Sequence, residues 1–133
     1  MKLLRFLTLP LIALAASAAT LVAQVSEGKL PDTGVSVERA GGWLNIEATG
    51  SRLVLLFFDK DKRPVAPDGI RATARVVYPA REDRRVVFGR EEERLVSPRA
   101  IRPPYAFRIH MLLSQDGGSA PEAIVVHYPQ NQP

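Results

Sequence analysis

The chain has 133 residues, no cysteine and a formal net charge of +4, from 18 basic and 14 acidic side chains. The missing cysteine excludes thiol catalysis, CxxC redox work, Cys-ligated zinc and lipoprotein attachment, and it leaves packing rather than disulfides to hold the fold. Basic and acidic residues are interleaved, without Lys and Arg gathered on one face between aromatics, so no nucleic-acid partner is expected.

The first segment, residues 1–23, reads as a signal peptide. Lys2 and Arg5 form a cationic head, Phe6 to Ala16 an apolar run, and Ala16-Ser17-Ala18 the small-x-small pattern of a cleavage site; Ala23 offers a second one. An uncleaved anchor is the alternative, and only then is a membrane partner expected. A spanning helix needs roughly 20 apolar residues, whereas Phe6 to Ala23 spans 18 with Pro10 inside. The expected location is therefore the periplasm or beyond. Cleavage removes Lys2 and Arg5 and no acid, leaving 16 basic against 14 acidic residues and a net charge of +2. About 110 residues remain, one domain with enough chain for a single core.

Gln24 to Val35 is polar and broken by Gly28, Pro31 and Gly34, which predicts a flexible lead-in. A β domain is expected over 36–129, with a short tail at 130–133. Its strands are marked by alternation and by turn chemistry. Trp43 to Ala48 alternates, and Thr49-Gly50-Ser51 turns the chain. Leu53 to Phe58 is apolar on both faces, the pattern of a central strand covered on two sides, either by the later Ser97–Pro104 crossing or by a partner. Asp59 to Pro64 is a charged turn. Ile70 to Tyr78 puts Ile70, Ala72, Ala74, Val76 and Tyr78 on one face and Arg71, Thr73, Arg75 and Val77 on the other. Two short runs follow, Arg85 to Phe88 and Glu92 to Val96, and then a proline-rich crossing from Ser97 to Pro104 that is too restrained for a helix.

The last two strands form a hairpin around Asp116-Gly117-Gly118-Ser119. Phe107, Ile109, Met111 and Leu113 face inward, while Ala106, Arg108, His110 and Leu112 face outward. In the returning strand Ile124, Val126 and Tyr128 face inward, and Val125 and His127 outward. The whole predicts an all-β fold, an antiparallel sandwich of about seven strands, Ig-like or transthyretin-like. The expected core is Trp43, Leu44, Ile46, Leu53, Leu55, Phe57, Ile70, Ala72, Ala74, Val76, Phe107, Ile109, Met111, Ile124, Val126 and Tyr128.

The run Phe57-Phe58-Asp59-Lys60-Asp61-Lys62-Arg63-Pro64-Val65-Ala66-Pro67, with Ala72-Thr73-Ala74 and Pro103-Pro104-Tyr105-Ala106-Phe107, resembles small exported bacterial β-sandwich proteins. Their pattern is a strand, a D-x-x-x-x-P-V turn, an alternating strand and a final Tyr-x-Phe hairpin after a proline. The resemblance covers roughly residues 43–128 and rests on turn and core positions, so it implies a fold more than an activity. Some of these proteins accompany metal-efflux genes, and some carry a Cys- and His-rich tail. This chain ends Tyr128-Pro129-Gln130-Asn131-Gln132-Pro133 and departs from them there.

Little catalytic chemistry is on offer. No G-x-S-x-G nucleophile motif occurs, and no Gly-rich phosphate loop leads into a helix. Asp59, Asp61 and Asp68 fail the EF-hand pattern, because Pro64 and Ile70 stand where Gly and Glu are needed. Arg90-Glu91-Glu92-Glu93-Arg94 reads as a solvated turn or edge. Two weak constellations remain. Arg71, Arg75 and Arg108 form a basic stripe if their strands are neighbours, suited to another envelope protein or an anionic surface group. His110 and His127 lie on one face of the hairpin, directly opposite in one allowed register and diagonal in another. Such a pair binds Cu(II) or Zn(II) weakly, whereas a closed site takes three or four ligands. No cofactor is expected. The expected function is that of a non-enzymatic exported binding or accessory domain of the bacterial envelope; a periplasmic Cu/Zn-binding protein is the alternative.

Overall fold

The computed structural model describes residues 28–118 and 120–129. The signal peptide expected at 1–23, the first part of the lead-in and the tail at 130–133 lie outside the described residues. The ten strands are β1 (Val35–Arg39), β2 (Gly42–Thr49), β3 (Arg52–Asp59), β4 (Pro64–Val65), β5 (Ile70–Val77), β6 (Arg84–Val87), β7 (Gly89–Glu91), β8 (Arg94–Val96), β9 (Phe107–Gln115) and β10 (Glu122–Tyr128). They form two antiparallel sheets. One has the order β1-β2-β3-β8-β7 with β4 beside β3; the other has the order β10-β9-β5-β6. The fold is an all-β sandwich, and the extra strands beyond the expected seven are mostly two- or three-residue pieces.

The interior follows from strand alternation, because successive side chains point to opposite faces. Leu44, Ile46, Leu53, Leu55 and Phe57 from the first sheet meet Ala72, Ala74, Val76, Phe107, Ile109, Met111 and Val126 from the second, all buried. Phe107 lies between Tyr78, edge-on at 5.4 Å, and Tyr128, stacked at 5.4 Å. Burying such rings is worth about 0.5–1.5 kcal/mol per pair beyond their area. Ile70, Ile124 and Tyr128 pack on this core at its margin, half-exposed.

Trp43 departs from the expected core. It directly precedes Leu44 on β2, so parity sends it to the outer face, where the Lys62 ammonium lies 5.5 Å from its ring. Adjacent residues of a flat strand cannot share a face.

The two sheets are joined at their edges and ends. At one edge Arg39 of β1 meets Glu122 of β10 at 3.2 Å, and the Ala40 N–H donates to the same carboxylate at 2.9 Å. At the other edge the chain passes from β6 to β7 through buried Phe88, whose N–H donates to the Ala72 carbonyl at 3.0 Å. The proline-rich crossing closes one end. Ala100 and Ile101 N–H groups donate to the Ser51 carbonyl at 3.0 and 3.1 Å, Ser97 Oγ accepts from Leu53 N–H at 2.8 Å, and Ile101 is buried in the core.

The crossing therefore fills the space between the sheets and is not the cover of the outer face of β3. That cover comes from the lead-in. The Gly28 N–H donates to the Asp61 carbonyl at 2.9 Å, and Asn45 Nδ2 donates to the Thr33 carbonyl at 3.0 Å and to Ser36 Oγ at 2.9 Å. The segment 28–33 thus runs as a strap from the turn after β3 to the outer face of β2, with Leu30 half-buried. Beneath it Asn45 is wholly inaccessible, and on neighbouring β3 the outward Phe58 is buried as well. Gly34 makes the bend into β1: its φ is +74°, and a Cβ there would lie 2.4 Å from the Ile46 carbonyl oxygen, so only glycine fits. Val35, assigned from sequence to the lead-in, is the first residue of β1 and is buried.

Candidate functional site

The second sheet presents its outer face without a strap. Its geometry follows from two registers. β5 pairs with β9 so that Arg75 stands opposite His110, Thr73 opposite Leu112, Arg71 opposite Ser114 and Val77 opposite Arg108. β5 also pairs with β6, bringing Arg85 opposite Arg75 and Val87 opposite Thr73. On the far side β10 adds Val125 opposite His110, His127 opposite Arg108 and Ala123 opposite Leu112.

The face is therefore organised in rows that cross the strands. One row reads Val125, His110, Arg75, Arg85. The next reads Ala123, Leu112, Thr73, Val87. Rows on one face lie roughly 6.6 Å apart, since every second residue points the same way. The second row is apolar apart from the Thr73 hydroxyl, and Val87 is 69% exposed, Val125 55% and Leu112 47%. These are three of the four exposed large hydrophobics among the described residues; the fourth is Val65. An open concavity of about 560 Å³ lies over both rows, lined by Arg75, Arg85, Val87, His110, Leu112 and Val125 among others.

The arginines expected to form a stripe are all on this face, and β5 and β9 are neighbours as that reading requires. They are not contiguous. Arg71 and Arg75 lie on either side of the apolar row, roughly 13 Å apart along β5. Two of them already have carboxylates: Arg71 meets Asp116 at 3.8 Å and Arg75 meets Asp83 at 3.6 Å. These exposed pairs are worth little, a fraction of 1 kcal/mol each. Arg108 and Arg85 have no carboxylate within 4.0 Å among the described residues, and Arg85 was not singled out from sequence.

The two histidines take the diagonal register. His110 pairs with Val125 and His127 with Arg108, so the imidazoles start from backbones roughly 7–8 Å apart on one face. No group of three or more His, Asp or Glu side chains able to hold a metal occurs among the described residues. His110 Nε2 is shielded from solvent and has no hydrogen-bond partner. A buried polar nitrogen without a partner costs about 1–3 kcal/mol. It stands in the row whose other polar members are Arg75 and Arg85.

The signals that sequence reasoning missed are Val87 and Arg85. Both lie on a four-residue strand too short to declare its own alternation, and its position beside β5 is set by packing rather than by local sequence. Leu112 and Val125 were placed outward by parity but not joined to the arginines. No protein-family model, no curated protein and no solved structure matches the chain.

Proposed function

We propose that this chain is a non-enzymatic binding domain, exported as its leader predicts, which presents the outer face of the β10-β9-β5-β6 sheet to another component of the bacterial envelope. The supporting observation is the apolar row of Leu112 and Val87, with Val125 beside it, bordered by Arg71, Arg75, Arg85 and Arg108. Scattered exposed aliphatics are ordinary, but clustering on one face edged by charge is the pattern of an interaction surface. The groups offered there are guanidiniums, aliphatic chains and two imidazoles, which suit recognition of an anionic, partly apolar partner. The copper or zinc alternative has two ligands on this same face, with no third beside them among the described residues.

The test is site-specific photo-crosslinking in a bacterial host, with the reactive group placed at Leu112 or, as the control, at Glu47 on the outer face of the strapped sheet. Crosslinks formed at Leu112 and absent at Glu47 support the reading. Equal labelling at both sites, or none at Leu112, removes it. N-terminal sequencing of the exported protein tests the leader, with cleavage expected after Ala18 or Ala23.

A further inference from the structure

We infer that the ligand of this face is a single anionic amphiphile, a carboxylate on a medium-length acyl chain, with its head on the row of His110, Arg75 and Arg85 and its tail along the row of Ala123, Leu112, Thr73 and Val87. The inference rests on the binding-face reading above and adds the ligand's chemistry.

Three features carry it. The first is charge. Arg75 and Arg85 stand directly opposite each other across β5 and β6, an arrangement that like charges make unfavourable. Asp83 lies 3.6 Å from Arg75, and no carboxylate is within 4.0 Å of Arg85 among the described residues. A carboxylate placed between the two guanidiniums gains charge-assisted hydrogen bonds from both. A second copy of this chain would set arginine against arginine, so charge complementarity selects an acidic occupant.

The second feature is the adjacency of the two rows. An anionic head at Arg75 and Arg85 puts the attached chain one row away from Leu112 and Val87. Four strands about 4.8 Å apart give that row a span of roughly 14 Å, the reach of a medium acyl chain. Each methylene that leaves water there adds to the affinity in proportion to the area covered. The third feature is size. The concavity of about 560 Å³ falls within the range of about 300–1,000 Å³ that small-molecule sites occupy.

The probe is laurate, held below its micelle concentration and titrated calorimetrically into the mature chain at low salt. Saturable one-to-one binding is expected, with amide shifts in nuclear magnetic resonance confined to β5, β6, β9 and β10. The double change Arg75→Gln with Arg85→Gln, and separately Leu112→Asp, should each weaken it at least tenfold. Acetate and dodecyl maltoside, which carry the head or the tail alone, should bind at least tenfold more weakly than laurate. The shift map on the unaltered protein needs no variant to fold, so it decides the matter even if a variant does not. No laurate binding, or shifts centred on the strapped sheet, overturns the inference. So does binding to vesicles of acidic phospholipid without binding of free laurate, which would make a bilayer the occupant. If laurate fails while Leu112 still crosslinks a partner, the amphiphile is wrong and the binding face stands. If both fail, both fall.

Discussion

Each sheet of this sandwich carries apolar side chains on its outer face, and the two faces are treated differently. On the first sheet Asn45 is buried beneath the strap of residues 28–33, and Phe58 is buried on the same outer face. On the second, Val87, Leu112 and Val125 stay open to solvent, with arginines around them. A chain that covers one outer face with its own backbone, and borders the other with guanidiniums, separates a structural surface from an available one. Burial on the first face contributes to folding. The second contributes little until something binds.

The sharpest way to break this comparison is to truncate one aliphatic or aromatic group on each face. Phe58→Ala should cost about 3 kcal/mol, the lower end for a buried phenylalanine, because its ring is almost fully out of solvent. Leu112→Ala should stay within about 0.5 kcal/mol, as surface changes do. Urea unfolding midpoints of the two variants measure the difference. Equal costs would mean that the strap is not a cover, or that the second face is not open.

Asn45→Ala is the next largest. It removes the donor to the Thr33 carbonyl and to Ser36 Oγ and should cost about 1–3 kcal/mol, the usual penalty for breaking buried hydrogen bonds. Hydrogen exchange should quicken at the Gly28 amide, which donates to Asp61 at the strap's other end, and remain unchanged in β9. Faster exchange throughout the sandwich would instead make Asn45 part of the general fold.

How much of this was legible beforehand depends on the range of the interactions. The inward set of β9, Phe107, Ile109, Met111 and Leu113, could be read directly, because nine residues of strict alternation encode it locally. The two-sided apolarity of Leu53 to Phe58 rightly called for a second cover. The cover itself was invisible: Gly28 to Thr33 has no periodicity, and its contacts reach Asp61 and Asn45, far along the chain. Asn45 points outward, as the alternation of Trp43 to Ala48 requires, yet it is covered by a segment expected to be loose. On the second sheet Arg71, Arg75 and Arg108 could be read as one face. The apolar row between Arg71 and Arg75 could not, because Val87 joins it only through pairing of β6 with β5.

Gly34→Ala sharpens the comparison from the strap's other side. The left-handed φ alone costs an L-residue about 1–2 kcal/mol, and the methyl would also press on the Ile46 carbonyl. Destabilisation of that order is expected in thermal unfolding, with the strap leaving β2 before β1 does. Laurate or crosslinking readouts at Leu112 should be unaltered, since nothing in the strap touches that face.

The smallest effect is a pH dependence at the strap's landing point. Asp59 holds the Asp59–Arg63 turn: its Oδ1 accepts from the Arg63 N–H at 3.0 Å and the Asp61 N–H at 2.9 Å, and its Oδ2 lies 3.3 Å from Arg63 Nε. The backbone hydrogen bond from Arg63 lowers its pKa below the ordinary carboxylate value most strongly; partial desolvation opposes it, and the Asp61 N–H and the Arg63 charge lower it further. A carboxyl depressed in the folded state binds its proton more readily when unfolded, so its stabilising contribution is complete above the ordinary carboxylate range and is lost as pH falls through the folded value. The group is solvent-exposed, so the loss belongs to the turn rather than to the sandwich. Because the Asp61 carbonyl receives Gly28, acidification should release the strap first. Protection of the Gly28 amide, taken relative to its intrinsic exchange rate at each pH, should fall at acid pH in the unaltered protein, and Asp59→Asn should show the lowered protection already at neutral pH with no further fall on acidification. Protection insensitive to both would separate the turn from the strap and leave Asn45 as what holds it down.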